Sequence, residues 1–107
     1  MGYAPTLALH KLFSETGLSP QDIDTFEVNE AFAAQALAVI RDAKLDPSRV
    51  NPYGGAIALG HPIGATGAIL TLRAVKDLVR RDLTYAVVTM CIGGGQALAA
   101  LIKRSGA

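Results

Sequence analysis

The sequence predicts a small α/β domain with about three strands and three helices. Three observations support this prediction: apolar residues at helical spacing between residues 5 and 17, runs typical of strands at 25–29 and 85–90, and glycine or proline at the junctions. The chain has 107 residues, about one domain, and 50% of them are hydrophobic. This composition excludes an intrinsically disordered chain.

A helix, a strand and a second helix follow one another in the first half of the chain. Pro5 suits the first turn of a helix that Gly17 ends, and residues 19–22 give a second, short helical turn. Residues 25–29 alternate in polarity like a strand. Between residues 31 and 40 the only polar side chain is a glutamine, so we expect a helix that is deeply buried on nearly every side.

A glycine-rich stretch, an amphipathic helix and a pair of strands make up the second half. Glycine is dense enough in residues 54–67 to permit close backbone approach. We expect the next helix to turn an apolar stripe toward the core, away from a charged side. The stripe consists of Ala68, Ile69, Leu72, Val75 and Val79, and the charged side carries Arg73, Asp77, Arg80 and Arg81. Residues 85–90 are typical of a strand covered on both faces, and glycines 93–95 turn the chain into a partner strand at 96–102.

These elements leave hydrophobic surface uncovered in so short a chain. A sheet of about three strands cannot hide a helix that is apolar all round. Large exposed apolar patches usually mark contacts with other domains or proteins. We therefore expect this chain to pack against another domain, another subunit, or both.

Charge and cysteine content exclude several functional classes. The balance of 10 Lys and Arg against 9 Asp and Glu gives a net charge of +1, so no nucleic-acid partner is predicted. Two uncharged stretches, 50–72 and 83–102, are interrupted by glycines, and in the first also by prolines, so we expect no membrane insertion. A single cysteine allows no intrachain disulfide, and we expect a cytoplasmic protein. One cysteine and two histidines without ligand spacing predict no metal site.

Three side chains suited to catalysis lie where predicted elements end: Asn29, His61 and Cys91. His61 precedes the start of a helix, Asn29 and Cys91 each end a strand, and the glycine turn after Cys91 has amides that can hold an oxyanion. Because the ends of parallel strands converge on one crevice, the three side chains can meet there. Two structural interpretations stay open at this point, an inert core cysteine and a histidine that only satisfies local carbonyl groups.

Three longer motifs surround these side chains. Residues 29–33 read Asn-Glu-Ala-Phe-Ala, residues 54–67 are centred on Gly-His-Pro-Ile-Gly, and residues 91–96 read Cys-Ile-Gly-Gly-Gly-Gln. In order and spacing, all three resemble motifs of the thiolase family, the acyltransferases that form and cleave acetoacetyl-CoA and related thioesters. The similarity runs across essentially the whole chain.

The resemblance implies a layered thiolase α/β fold, with a mixed sheet and a buried central helix, and roles for five residues. His61 would activate a nucleophilic cysteine that accepts the acyl group and, with a water held by Asn29, would stabilise the thioester enolate. Cys91 would be the acid/base at the α-carbon of acetyl-CoA. The amide of Gly93 would help to form a second oxyanion hole, and Phe32 would shape the acyl pocket. Coenzyme A thioesters are the implied substrates, without a metal or a bound redox cofactor.

The sequence also departs from the family pattern. Thiolases carry their nucleophilic cysteine in an N-terminal domain, and this chain has no second cysteine. Residues 1–107 are therefore expected to be an incomplete C-terminal domain, inactive alone, whose implied partners are a nucleophile-bearing domain or subunit, acyl-CoA and further copies of the chain. Ala97 and Thr66 replace the glycine and serine usual in the family. The alternative interpretation is a thiolase-like fragment that binds acyl-CoA or a partner without turnover.

Overall fold

The computed structural model describes residues 2–107 and shows a mixed α/β domain in that range. Met1 lies outside the described residues. Two single turns of 3₁₀-helix, at Pro20–Asp22 and Pro47–Arg49, connect the larger elements. In chain order, those elements are α1 (Ala4–Thr16), β1 (Thr25–Val28), α2 (Ala33–Asp42), α3 (Ala56–Leu59), α4 (Thr66–Arg80), β2 (Tyr85–Gly93) and β3 (Gln96–Lys103).

The sheet has three strands in the order β1-β2-β3. β1 runs parallel to β2, with Val28 opposite Thr89, and β2 runs antiparallel to β3. The predicted strands and the glycine turn between the last two are confirmed. β2 continues past the predicted end at residue 90 as far as Gly93, with a register shift between Cys91 and Gly93.

Helices cover both faces of the sheet. Successive strand residues point to opposite sides, so each strand contributes side chains to both packed faces. On one face, α1 and α2 pack against Phe26, Val28 and Val87. On the other face, α4 packs against Ala86 and Val88. β2 is therefore buried on both sides, as its apolar composition predicts.

The first helix also ends where predicted. Gly17 takes a left-handed conformation (φ 73°), and its N–H donates to the carbonyl of Phe13, which closes α1. Ser19 then starts the 3₁₀ turn, with its backbone N–H donating to the Asp22 carboxylate at 2.8 Å.

α2 is less buried within this chain than its composition predicts. Only Ala36 and Val39 of the helix are buried, and the side chain of Leu37 is 68% exposed. Within residues 2–107, other elements pack against only one side of α2. The apolar side that remains open agrees with the expectation that another domain or subunit covers it.

The predicted orientation of α4 is wrong. Its buried residues include Leu70, Ala74 and Leu78, together with the predicted surface residue Asp77. Residues expected to face the core are instead exposed: Ile69, Leu72, Val75 and Val79. Asp77 can be buried because Tyr53 donates a 2.7 Å hydrogen bond to its carboxylate and Arg81 pairs with it.

The glycine-rich stretch is more ordered than a loop. It contains the short helix α3, which raises the number of α-helices from the predicted three to four in residues 2–107. None of the helices in this range has the length and hydrophobicity that a bilayer crossing requires.

Candidate active site

The imidazole of His61 lies between two polar side chains. Its Nε2 is 3.4 Å from Nδ2 of Asn29, and its Nδ1 is 2.6 Å from Oγ1 of Thr66. The Thr66 hydroxyl in turn donates to the carbonyl oxygen of Pro62 at 3.0 Å. Both ring nitrogens of His61 therefore have partners, and these come from the end of β1 and the start of α4.

Asn29 is fixed by its position directly after β1. Its backbone N–H donates to the carbonyl of Thr89 at 3.0 Å, which extends the parallel pairing by one residue. The residue is only 3% exposed, yet its side-chain Oδ1 has no hydrogen-bond partner among the described residues. A buried amide oxygen without a protein partner is typical of a position that binds a water or a ligand.

Cys91 lies at the same end of the sheet. β1 and β2 are parallel with Val28 opposite Thr89, so Asn29 and Cys91 both follow that last pair. The start of α4 also reaches this end, since a Cβ at Gly67 would lie 3.6 Å from the sulfur of Met90. Cys91 is partly exposed. Among residues 2–107, no hydrogen bond joins its thiol to His61.

The glycine turn after Cys91 has the conformation that only glycine adopts easily. Gly93, Gly94 and Gly95 all have positive φ angles, at 91°, 60° and 73°. All three residues are exposed at the tip of the hairpin. Ala97 pairs directly with Cys91 across the hairpin.

Phe32 is the start of an exposed apolar rim around this end of the sheet. It lies three residues after Asn29 and is exposed, and its N–H donates to the Gln35 side chain at 3.3 Å. Ile63, in the loop that carries His61, is 83% exposed. Further exposed apolar residues of the rim are Ile57, Leu59 and Ile92.

The loop that carries His61 is attached to β1 at its beginning. The side chain of Asn51 accepts from the N–H of Val28 at 2.9 Å and donates to the carbonyl of Val28 at 2.8 Å. It therefore makes the two hydrogen bonds that the backbone of a neighbouring strand would make. Asn51 has a positive φ of 48°, which asparagine tolerates better than most residues. Tyr53 then ties the loop to Asp77 of α4.

Two charged side chains hold the next part of the loop. Glu30 accepts from Ile57 N–H at 3.2 Å. Arg73 of α4 donates both to the carbonyl of Gly54 and to Oε1 of Glu27, each at 3.3 Å. These contacts fix the histidine loop to β1 and α4, the two elements that also supply Asn29 and Thr66.

Glu27 has an unusual titration for a carboxyl group. Burial raises its pKa to about 7 from 4.5, although the nearby Arg73 guanidinium acts in the opposite direction. The side chain lies two residues before Asn29 and is only 2% exposed. The charge state of Glu27 is therefore linked to the structure that surrounds the histidine loop.

Several of these supporting residues have no sequence signal of their own. Glu30 belongs to a recognised motif, but nothing in the sequence indicates that it contacts Ile57. Thr66 follows His61 by five residues, and only the turn at Pro62 brings the two together. Asn51 shows only the local signal of an asparagine in a turn. In residues 2–107, no three His, Cys, Asp or Glu side chains are arranged to hold a metal ion.

Comparison with known proteins gives consistent matches to one family. Residues 1–104 match the family described as thiolase, C-terminal domain. The chain is 53% identical to the beta-ketothiolase BktB of Cupriavidus necator over 104 residues, which is 97% of this chain and 26% of that protein. It is 50% identical to the 3-ketoacyl-CoA thiolase of Bacillus subtilis over 103 residues, again 26% of the relative. The chain thus spans about a quarter of the length of these relatives.

The fold gives the same result. The crystal structure of human mitochondrial 3-ketoacyl-CoA thiolase superposes with a TM-score of 0.94 at 48% identity, over 98% of this chain and 27% of the human one. The structure of the same human enzyme in complex with CoA matches with the same TM-score of 0.94. By sequence and by fold, this chain belongs to the thiolase family and corresponds to its C-terminal domain.

Proposed function

We propose that this chain supplies the histidine and the acid/base cysteine of a thiolase-type acyltransferase site. The reaction is the Claisen condensation of acetyl-CoA, or in reverse the thiolysis of a 3-ketoacyl-CoA. The observation that carries this proposal is the contact of His61 with Asn29, whose buried Oδ1 has no partner among the described residues. Cys91 follows the neighbouring parallel strand at the same end of the sheet.

In this proposal, His61 acts on the nucleophile. A neutral imidazole accepts a proton from the thiol of a cysteine on the partner domain, and the resulting thiolate takes up the acyl group. The 3.4 Å contact with Asn29 and the 2.6 Å contact with Thr66 support this role, because they hold the ring in one orientation.

Cys91 acts on the acetyl group. In condensation, its thiolate removes the α-proton of acetyl-CoA, and in thiolysis its thiol returns a proton to the enolate carbon. The α-proton of a thioester is weakly acidic, so base and enolate site must act together. A water held by Asn29, together with His61, stabilises the enolate oxygen, and the unpartnered Oδ1 supports such a water.

Gly93 and Phe32 complete the proposed site. The amide of Gly93 helps to form a second oxyanion hole for the tetrahedral intermediate, and its exposed, left-handed conformation supports this role. Phe32 shapes the acyl pocket, which its exposure beside the end of β1 supports.

The proposed partners follow from the open surfaces of the chain. The exposed rim, with Phe32, Ile57 and Ile63, is covered by a domain or subunit that carries the nucleophilic cysteine. We further propose coenzyme A thioesters as substrates without a metal or redox cofactor, assembly with further copies of the chain, and a cytoplasmic location.

The test is an assay of acetoacetyl-CoA cleavage after the chain is mixed with a thiolase N-terminal domain. The wild-type assembly should cleave the thioester, and His61→Ala and Cys91→Ala should each lower the rate about 100-fold or more. A Ser14→Ala variant on the exposed side of α1 is the matched control and should keep full activity. A folded assembly without activity would contradict the proposal.

Calorimetry with CoA and acetyl-CoA distinguishes the non-catalytic alternative. Saturable binding by an assembly that does not turn over would indicate a binding module with the thiolase fold. Binding together with turnover supports the acyltransferase.

A further inference from the structure

The hydrogen bonds of Thr66 determine which nitrogen of His61 carries the proton. The Thr66 hydroxyl has one hydrogen. Its Oγ1 lies 3.0 Å from the carbonyl oxygen of Pro62, a group that can only accept. The hydroxyl therefore donates to Pro62. Towards His61 it can only accept, so the Nδ1 atom 2.6 Å away is the donor.

The second nitrogen of the ring fits the same assignment. With the proton on Nδ1, a neutral imidazole has a lone pair on Nε2. The nearest side chain there is Asn29, whose NH₂ group can only donate and lies 3.4 Å away. The Asn29 contact therefore agrees with the tautomer that the hydrogen bonds of Thr66 select.

Thr66 is held firmly enough to impose this choice. It is buried at the first position of α4, and its backbone N–H also donates to the Pro62 carbonyl, at 2.9 Å. Its β-branched side chain has few rotamers in a helix. The hydroxyl therefore has one position in which it can meet both Pro62 and His61.

We propose that Thr66 is a positioning residue that keeps neutral His61 in the Nδ1–H tautomer and leaves Nε2 free to take up a proton. The catalytic consequence rests on the proposed function, but the tautomer itself does not. In the assembled site, Nε2 is then the atom that accepts the proton of the nucleophilic thiol.

Nitrogen NMR of the ¹⁵N-labelled chain tests this assignment at a pH where both imidazoles are neutral. We expect long-range ¹H–¹⁵N correlations to show a protonated Nδ1 and a non-protonated Nε2 in His61. His10, exposed on α1, gives a second histidine in the same spectrum for comparison. A protonated Nε2 in wild-type His61 would overturn the proposal, whether or not the assembly is active.

Two variants separate positioning from a merely structural role. Thr66→Val keeps the shape of the side chain but removes the hydroxyl, and we expect the Nδ1–H signature to be lost or mixed. Thr66→Ser should restore it. An unchanged signature in a folded Thr66→Val chain would overturn the proposal, and backbone amide spectra check the fold. If the chain folds only with the N-terminal domain, the same spectra of that complex give the readout.

Discussion

The carboxylate of Glu30 occupies the space that a side chain at position 55 would need. A Cβ built on Gly55 would overlap Oε1 and the carboxyl carbon of Glu30. The same Oε1 accepts the hydrogen bond from Ile57 N–H that ties the histidine loop to the end of β1. Glu30 can take this position because residue 55 is a glycine. The pair lies directly beside Asn29, the residue that precedes Glu30.

This pairing predicts a coupling between the two positions. Gly55→Ala should displace the Glu30 carboxylate, break its bond to Ile57, and lower the free energy of unfolding by about 0.5–1.5 kcal/mol. In a chain that already carries Glu30→Ala, the Gly55→Ala change should cost much less. Urea denaturation of the two single variants and the double variant measures this coupling.

The matched control is Gly64→Ala in the same loop. Gly64 has open space around its Cβ position and is not left-handed, so this change should be nearly neutral. Equal costs at positions 55 and 64, or strict additivity with Glu30→Ala, would contradict the proposed pairing.

We expect a second, separate loss of stability when Asn51 is replaced. Asn51→Ala removes two hydrogen bonds to Val28 and leaves a backbone N–H and a carbonyl at the edge of β1 without their partner. We expect a loss of about 2 kcal/mol in the free energy of unfolding, measured by urea denaturation. Ser14→Ala, exposed on α1, is the control and should change stability little. A cost within error of that control would show that the strand-like pairing of Asn51 is dispensable.

Glu27 predicts a pH dependence of stability with a definite sign. Its pKa in the folded chain is about 7, above the ordinary value of 4.5, so the folded state keeps this proton to higher pH than the unfolded state. The stabilisation is complete below about pH 4.5, and it is lost as the pH rises towards 7. A shift of this size corresponds to a loss of about 3 kcal/mol.

Glu27→Gln tests this directly, since glutamine does not titrate. The variant should lack the loss of stability between pH 5 and 7 (roughly the window between the two pKa values), measured by urea denaturation at each pH. Glu15→Gln, exposed on α1, should behave like the wild type. Equal pH profiles for wild type and Glu27→Gln would show that another group is responsible.

The sequence predicts the strands and the order of the site residues well, because both depend on local patterns. Alternation marks β1, and an apolar, β-branched run marks β2. Their parallel pairing is a finding of the structure. The sequence allows Asn29, His61 and Cys91 to meet at one edge of the sheet, and the structure places Nε2 of His61 3.4 Å from Nδ2 of Asn29. That His61 and Cys91 act on one thioester stays a prediction.

The orientation of α4 could not be predicted, because it depends on contacts distant in sequence. Asp77 is charged, which in sequence predicts a surface position. Tyr53 and Arg81 donate hydrogen bonds to its carboxylate and make burial possible. The exposed side with Ile69 and Val79 looks like a core stripe in sequence, since hydrophobicity alone does not say which partner covers it. The same reason applies to α2, where Leu37 is open in this chain.

Deuterium uptake into acetyl-CoA tests the acid/base role of Cys91 most directly. The assembly of this chain with a thiolase N-terminal domain is incubated with acetyl-CoA in D₂O, and mass spectrometry follows the acetyl group. The proposed site predicts exchange of the α-protons by the wild type, almost none by Cys91→Ala, and full exchange by the control Ser14→Ala. Exchange by a Cys91→Ala assembly at the wild-type rate would contradict the account.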